Sequence, residues 1–426
     1  MTSVSSERTS KWIYSILPIN MTVGPIGTFA QLYILQLHGS VLDVGLATTL
    51  FNAVTIPASI FWGFVTDRIH GRKTIVVLSY VGIAASVFVF SFVKTIYGVE
   101  VVYAAFGFLS VAFATPLNLL IMETQPKSKW ASIFSRFSMV SSVGVTLGLL
   151  LSAGWADYLP FQLLVIPLGA LALLSAALSV QMIREKTSVF ERSMIVMIRE
   201  SLFHRLLSMP MLFLKVPRIM DFLRIFRGVK FGVTREPALI YTSIGAFYFA
   251  SGIFNTSIVP SLYQANLSQS QVFLVLLVGM VVQVIAFRSL GRRIQQKGVR
   301  RTAAQGLTLR ALSYLAIAIG AVSFVGLPYL GVALVFYPIG AGIAYAAYYA
   351  ASNVMIFNTV GRSNQGSSLG VFSALVGMAT MIGSFVSGLL SFFIGYGATF
   401  VAAAVWLGFA AVLTTIIGQE VESEAF

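Results

Sequence analysis

Few side chains in this sequence are equipped for covalent chemistry. Cysteine is absent, and the three histidines, His38, His70 and His204, lie far apart. Thiol nucleophiles, thiolate metal sites and His/Glu ligand spacings are therefore excluded. No acid, base and nucleophile converge, so the sequence does not read as an enzyme, and no metal or other cofactor is expected. One compact charged cluster does exist: Gly63-Phe64-Val65-Thr66-Asp67-Arg68-Ile69-His70-Gly71-Arg72-Lys73. Its chemistry is that of ion pairs and helix ends. Gly63 permits a close helix approach, Asp67 can face another helix's N-terminal dipole, and Arg68, Arg72 and Lys73 belong in water or at headgroups. Beyond it, amides, hydroxyls and phenols recur at spacings of three and four, the period of a helix face.

The elements that must position these groups are membrane helices. Of 426 residues 57% are hydrophobic and only 10% charged, whereas a water-soluble chain has about a quarter of its residues charged. The mean hydropathy is +0.88. A bilayer core asks for about 20 apolar residues per helix, and such runs occur at 12–37, 41–66, 74–93, 97–122, 131–154 and 161–183. After a polar, basic stretch they resume at 237–263, 270–290, 302–323, 327–352, 366–388 and 391–418. The expectation is an all-α membrane protein of twelve spans. It divides into an N-terminal tail (1–11), a six-helix bundle (12–183), a basic linker (184–236), a second six-helix bundle (237–418) and an acidic tail (419–426). The first run has no cleavage site after a short apolar core, so it reads as a retained helix.

Charge gives the orientation. Of 28 Lys and Arg, every one but Lys94 falls on the side that twelve spans assign to both termini. By the positive-inside rule that side is the cytoplasm. The formal charge of +14 is thus topological, which removes the nucleic-acid reading that a pI near 10.0 invites. Within the linker, Ile219, Phe222, Leu223 and Phe226 make an apolar stripe in a basic setting, suited to lying on an anionic inner leaflet. The expected partners are that bilayer and a small-molecule solute. A monomer suffices, because one chain can form the whole path.

The halves echo each other. Asp43-Val44 resembles Gln271-Val272, Phe137-Ser138 with Gly148 resembles Phe372-Ser373 with Gly383, and Leu32-Tyr33 resembles Leu262-Tyr263. Repeats of this kind mark two-bundle transporters. The Gly63–Lys73 segment, in turn, resembles the loop 2–3 signature of the major facilitator superfamily, with one extra residue before Gly71 and a degenerate echo at Gly291-Arg292-Arg293 after the eighth span. The resemblance implies secondary transport by alternating access. It makes the segment a latch on the cytoplasmic ends of the bundles, with Glu123 as an acidic partner and Arg136 close by.

The same resemblance places a central cavity among eight helices, and the candidate lining is Asn20, Gln31, Asn52, Thr55, Asn118, Ser142, Tyr248, Asn255, Gln283, Tyr345 and Tyr348. An amide facing lipid would be costly, whereas Gly and Ser stripes serve helix packing. No Asp, Glu, Lys or Arg is expected in the middle third of a span: Asp43, Glu100 and Asp157 fall at outer ends, and Glu123, Arg136 and Arg310 near inner ends. A cavity without charge favours efflux of a neutral or lipophilic compound. Uptake of a neutral sugar or nucleoside, and a sensor that transports nothing, are the alternatives. The expected location is the plasma membrane.

Overall fold

A computed structural model describes residues 11–68, 71–124, 130–183, 235–359 and 365–424, and among these every regular element is a helix. The first half contains α1 (Ile16–Gln36), α2 (Val41–Arg68), α3 (Arg72–Val89), α4 (Ile96–Ser110 and Ala114–Thr124), α5 (Trp130–Tyr158) and α6 (Val165–Met182). The second contains α7 (Arg235–Gln264), α8 (Gln269–Lys297), α9 (Val299–Ser323), α10 (Leu327–Tyr337 and Tyr345–Thr359), α11 (Gln365–Phe393) and α12 (Tyr396–Glu424). Ten of these are long and apolar enough to cross a membrane; α1 and α7, which are less apolar, pack among them.

Helices of each half pack mainly on one another, α1 on α5 and α6 in the first, α7 on α11 and α12 in the second. Glycine sets these seams. A Cβ on Gly148 of α5 would strike the Met21 backbone of α1, and one on Gly383 of α11 would strike the Phe249 backbone of α7. The small-residue stripes are therefore contact surfaces, as close helix approach in membranes requires.

The connections α1–α2 and α7–α8 are built alike. His38 and Asn266 both take the left-handed conformation, at φ 60 and 64, where single polar residues close helices. Gly39 then donates to the Ile34 carbonyl (2.9 Å) and Leu267 to the Leu262 carbonyl (3.3 Å). Ser40 and Ser268 start the next helices in capping boxes: Asp43 Oδ2 accepts from Ser40 N at 2.7 Å, and Gln271 Oε1 accepts from Ser268 N at 2.9 Å. This register pairs Ile34 with Leu262, so the Leu32-Tyr33 and Leu262-Tyr263 match is out of step by one helical half-turn and is coincidental.

Several boundaries differ from expectation. Residues 111–113 form a turn that splits α4. The basic Gly291-Arg292-Arg293 triplet lies within the last turns of α8, which ends only before Gly298 at φ 80. The α11–α12 turn sits at Gly395 (φ 102), not near 389, because only there does the backbone demand glycine. The acidic tail from 419 continues α12 to Glu424. Most consequential is Pro338–Ala344, a π-helical segment inside α10. The linker residues 184–234, with their apolar stripe, lie outside the described residues.

Candidate functional site

The two halves meet through α2 against α11 and α5 against α8, and the contacts are concentrated at the end remote from the termini. There a Cβ on Gly45 would reach the Gly388 backbone, Thr48 and Thr256 approach at 3.4 Å, and Asn52 Nδ2 donates to Ser384 Oγ at 3.3 Å. On the other pair, Ser268 Oγ donates to Asp157 (3.3 Å) and Ser270 Oγ to the Ala153 carbonyl (2.6 Å). Toward the termini the facing surfaces part. Pro57, Ser59 and Ile60 on α2, Ser138 and Met139 on α5, and Ser373 on α11 are exposed. A cleft of about 190 Å³ opens between α5 and α8 beside Thr146 and Ile285.

This geometry sorts the expected cavity residues. Asn52 and Thr55 lie on the seam, although Asn52 also bonds the Thr48 carbonyl (2.9 Å) and Thr55 the Asn52 carbonyl (2.9 Å). Ser142 and Gln283 are half-buried, Asn118 and Asn255 exposed. Asn20 is a packing residue: its amide donates to the Ile16 carbonyl at 2.8 Å, and its Cβ sits where a Gly144 side chain would go. Gln31 is buried with its Oε1 unpartnered. Tyr348 is no cavity wall. It is fully buried, 4.1 Å from the Phe247 ring and 3.3 Å from Ser243 Oγ. Tyr248 and Tyr345 are half-buried.

Only part of the expected latch lies among the described residues. Arg72 Nη1 donates to the Thr66 carbonyl, tying the start of α3 to the end of α2. Among the described residues no atom lies within 4 Å of a Cβ added to Gly63, so the close approach expected there is not seen between described helices. Arg136 donates to Tyr14 Oη and lies 5.1 Å from its ring, engaging the chain before α1. Gly71 precedes the first turn of α3 and Lys73 is half-buried within it. The side chains of Asp67, Arg68 and Glu123 lie outside the described residues.

A group that sequence reasoning misplaced lies at mid-span. Arg310 is the largest fully buried side chain (1% exposed) and stands halfway along Val299–Ser323. The expectation of an uncharged membrane interior is thereby corrected. Its guanidinium lies 4.7 Å from the ring of Phe247 (α7), 5.3 Å from Tyr314 (α9) and 5.1 Å from Tyr345 (α10). Nε donates to Tyr314 Oη at 2.7 Å, and Nη1 is buried without a partner. The π segment ends at the residue before Tyr345. It packs tightly on both sides, since a Cβ on Gly340 would crowd Ser313 of α9 and one on Gly342 the Gly279 carbonyl of α8. The misplacement arose because the count of basic residues by side took Arg310 for an anchor, although it lies nine residues into the apolar run 302–323. A usable signal was present: no Asp or Glu occurs between residues 237 and 419.

The profile of the Major Facilitator Superfamily matches residues 13–214 and 240–425. The chain belongs to the Major Facilitator Superfamily. Among solved structures, this superfamily member is similar to the nucleoside transporter NupG (13% identity, TM-score 0.67), covering 97% of this chain and 98% of that one. It is also similar to a bacterial homolog of the human lysosomal transporter Spinster in an inward-facing, occupied conformation (15% identity, TM-score 0.72, 98% and 97% covered). A third is a variant of the peptide transporter POT in complex with alafosfalin (13% identity, TM-score 0.71, 96% and 94% covered). At these identities the likeness is one of fold. A search of curated protein sequences finds no match.

Proposed function

We propose that this superfamily member is a secondary transporter that exports a small amphipathic organic solute by alternating access. In this reading it has twelve spans in two related bundles, both termini in the cytoplasm of a plasma membrane, and acts as a monomer. The observation that carries the proposal is the one-sided seam: the halves are joined at the end remote from the termini and parted at the other. The like-built α1–α2 and α7–α8 turns and the matched Gly148 and Gly383 seams support two bundles that rock as units. If the basic side is cytoplasmic, the conformation is inward-facing.

The solute's character follows from the walls. Aromatic rings dominate α7 and α10 around Tyr248 and Tyr345, and a groove of about 530 Å³ between α7, α11 and α12 is lined by Tyr241, Phe249, Leu375 and Trp406. Such surfaces suit an amphipathic body that partitions from the bilayer. A strictly neutral solute loses its premise once Arg310 stands at mid-span. The test is flux of fluorescent amphiphiles in proteoliposomes. Protein-dependent movement that weakens in Asp67→Asn, at equal membrane expression, is the expected result. Binding without movement would favour the sensor reading, and unchanged flux in the variant would remove the latch.

A further inference from the structure

Arg310 is a cation at mid-span, and among the described residues no carboxylate bonds it. Taking a guanidinium charge out of water is costly unless it is paired. Three rings within 5.3 Å offset part of that cost through cation–π contact. They leave Nη1 without an acceptor, and a buried donor in that condition is destabilising. No carboxylate of the chain is available from residues 237 to 419. Among the described carboxylates of the first half, Asp43 accepts from Ser40 and Asp157 from Ser268, and Glu100 is itself buried at the remote end with Oε1 unpartnered.

The cage has one thin side. Phe247 and Tyr314 are fully buried, but Tyr345 is half-buried and its ring stacks at 5.6 Å on that of Tyr349, which is exposed. The residues just before Tyr345 are π-helical, and π segments mark places where a helix carries a displaced hydrogen-bond ladder, often at functional sites. A shift there would move the Tyr345 ring and open the guanidinium to a ligand without dismantling α9. An anion arriving with an apolar or aromatic body would give Nη1 its missing acceptor and lay its body on Tyr345 and Tyr349.

We propose that Arg310 is the anion-binding residue of the transport path and that the solute is a small organic anion. The proposal rests on the transport reading above and sharpens its substrate class. The experiment uses the full chain in lipid nanodiscs. Binding and thermal shift are measured for benzoate, benzenesulfonate and phenyl phosphate against benzamide and benzyl alcohol.

At least one anion is expected to bind about tenfold or more tightly than the neutral probes, the range a charge-assisted hydrogen bond supports. Arg310→Met should abolish that preference and Arg310→Lys should retain part of it. Should the Met variant fail to fold, the Lys variant and the wild-type comparison still decide. The proposal is overturned if no anion binds, if neutral probes bind equally well, or if Arg310→Met keeps the preference. Flux in proteoliposomes separates the two readings: an anion bound but not moved removes transport alone, while neutral solutes bound and moved remove the anion site alone.

Discussion

At the scale of single residues, burial decides which polar groups act and which merely pack. Glu100 is buried at the remote end with one oxygen unpartnered, and Lys94 is the one Lys or Arg expected on that side. A buried carboxylate without a cation is a liability. Glu100→Gln is therefore expected to leave the melting temperature unchanged or to raise it, with a gain of about 1 kcal/mol; a fall in a thermal melt would show that Glu100 has a structural cation after all. Asn20 and Tyr348 teach the complementary lesson. Both read as lining in the sequence because an amide or phenol must avoid lipid, but a carbonyl or a hydroxyl within the bundle satisfies each as well as a solute would.

At the scale of elements, the glycine seams hold the helices in register. Gly148→Val should force its Cβ branches into the Met21 backbone and cost about 1–3 kcal/mol or more, as overpacking does. Gly154→Val on the same helix, where an added Cβ meets nothing within 4 Å, should be tolerated. Equal losses in both, measured as melting temperature in detergent, would refute the seam. Helix existence was legible in the sequence, because apolar length acts locally; the capping boxes of Ser40 with Asp43 and Ser268 with Gln271 are equally local but were seen only in the structure. The π segment and the break at 111–113 were only partly legible. Pro116, whose ring opposes the Ala112 carbonyl, and Pro338, which opens the π segment, are local signs of an irregularity, but the form it takes depends also on packing, Gly340 on Ser313 and Gly342 on Gly279 for the π segment. Arg310 failed for another reason. Its type and its place nine residues into the run 302–323 were both visible, and counting it as an anchor set that depth aside.

At the scale of the whole molecule, the joined and parted ends make one gate measurable. The chain has no cysteine, so a Thr48→Cys/Thr256→Cys pair, placed where the two hydroxyls lie 3.4 Å apart, is free of background. Oxidation or a short bridging reagent should lock the remote end shut and stop flux, with reductant restoring it; undiminished flux in the bridged protein would mean that this end does not open. The fixed cation of Arg310 gives such opening and closing an electrical side. With one end sealed, the open cleft brings one bath's potential to mid-span, and reversal brings the other's. A charge held there crosses most of the voltage drop without leaving its helix, worth about 2.3 kcal/mol per 100 mV. The empty carrier would then return under the pull of the membrane voltage, whereas a carrier neutralised by a bound anion would not feel it. Voltage would set the pace of the unloaded half of the cycle.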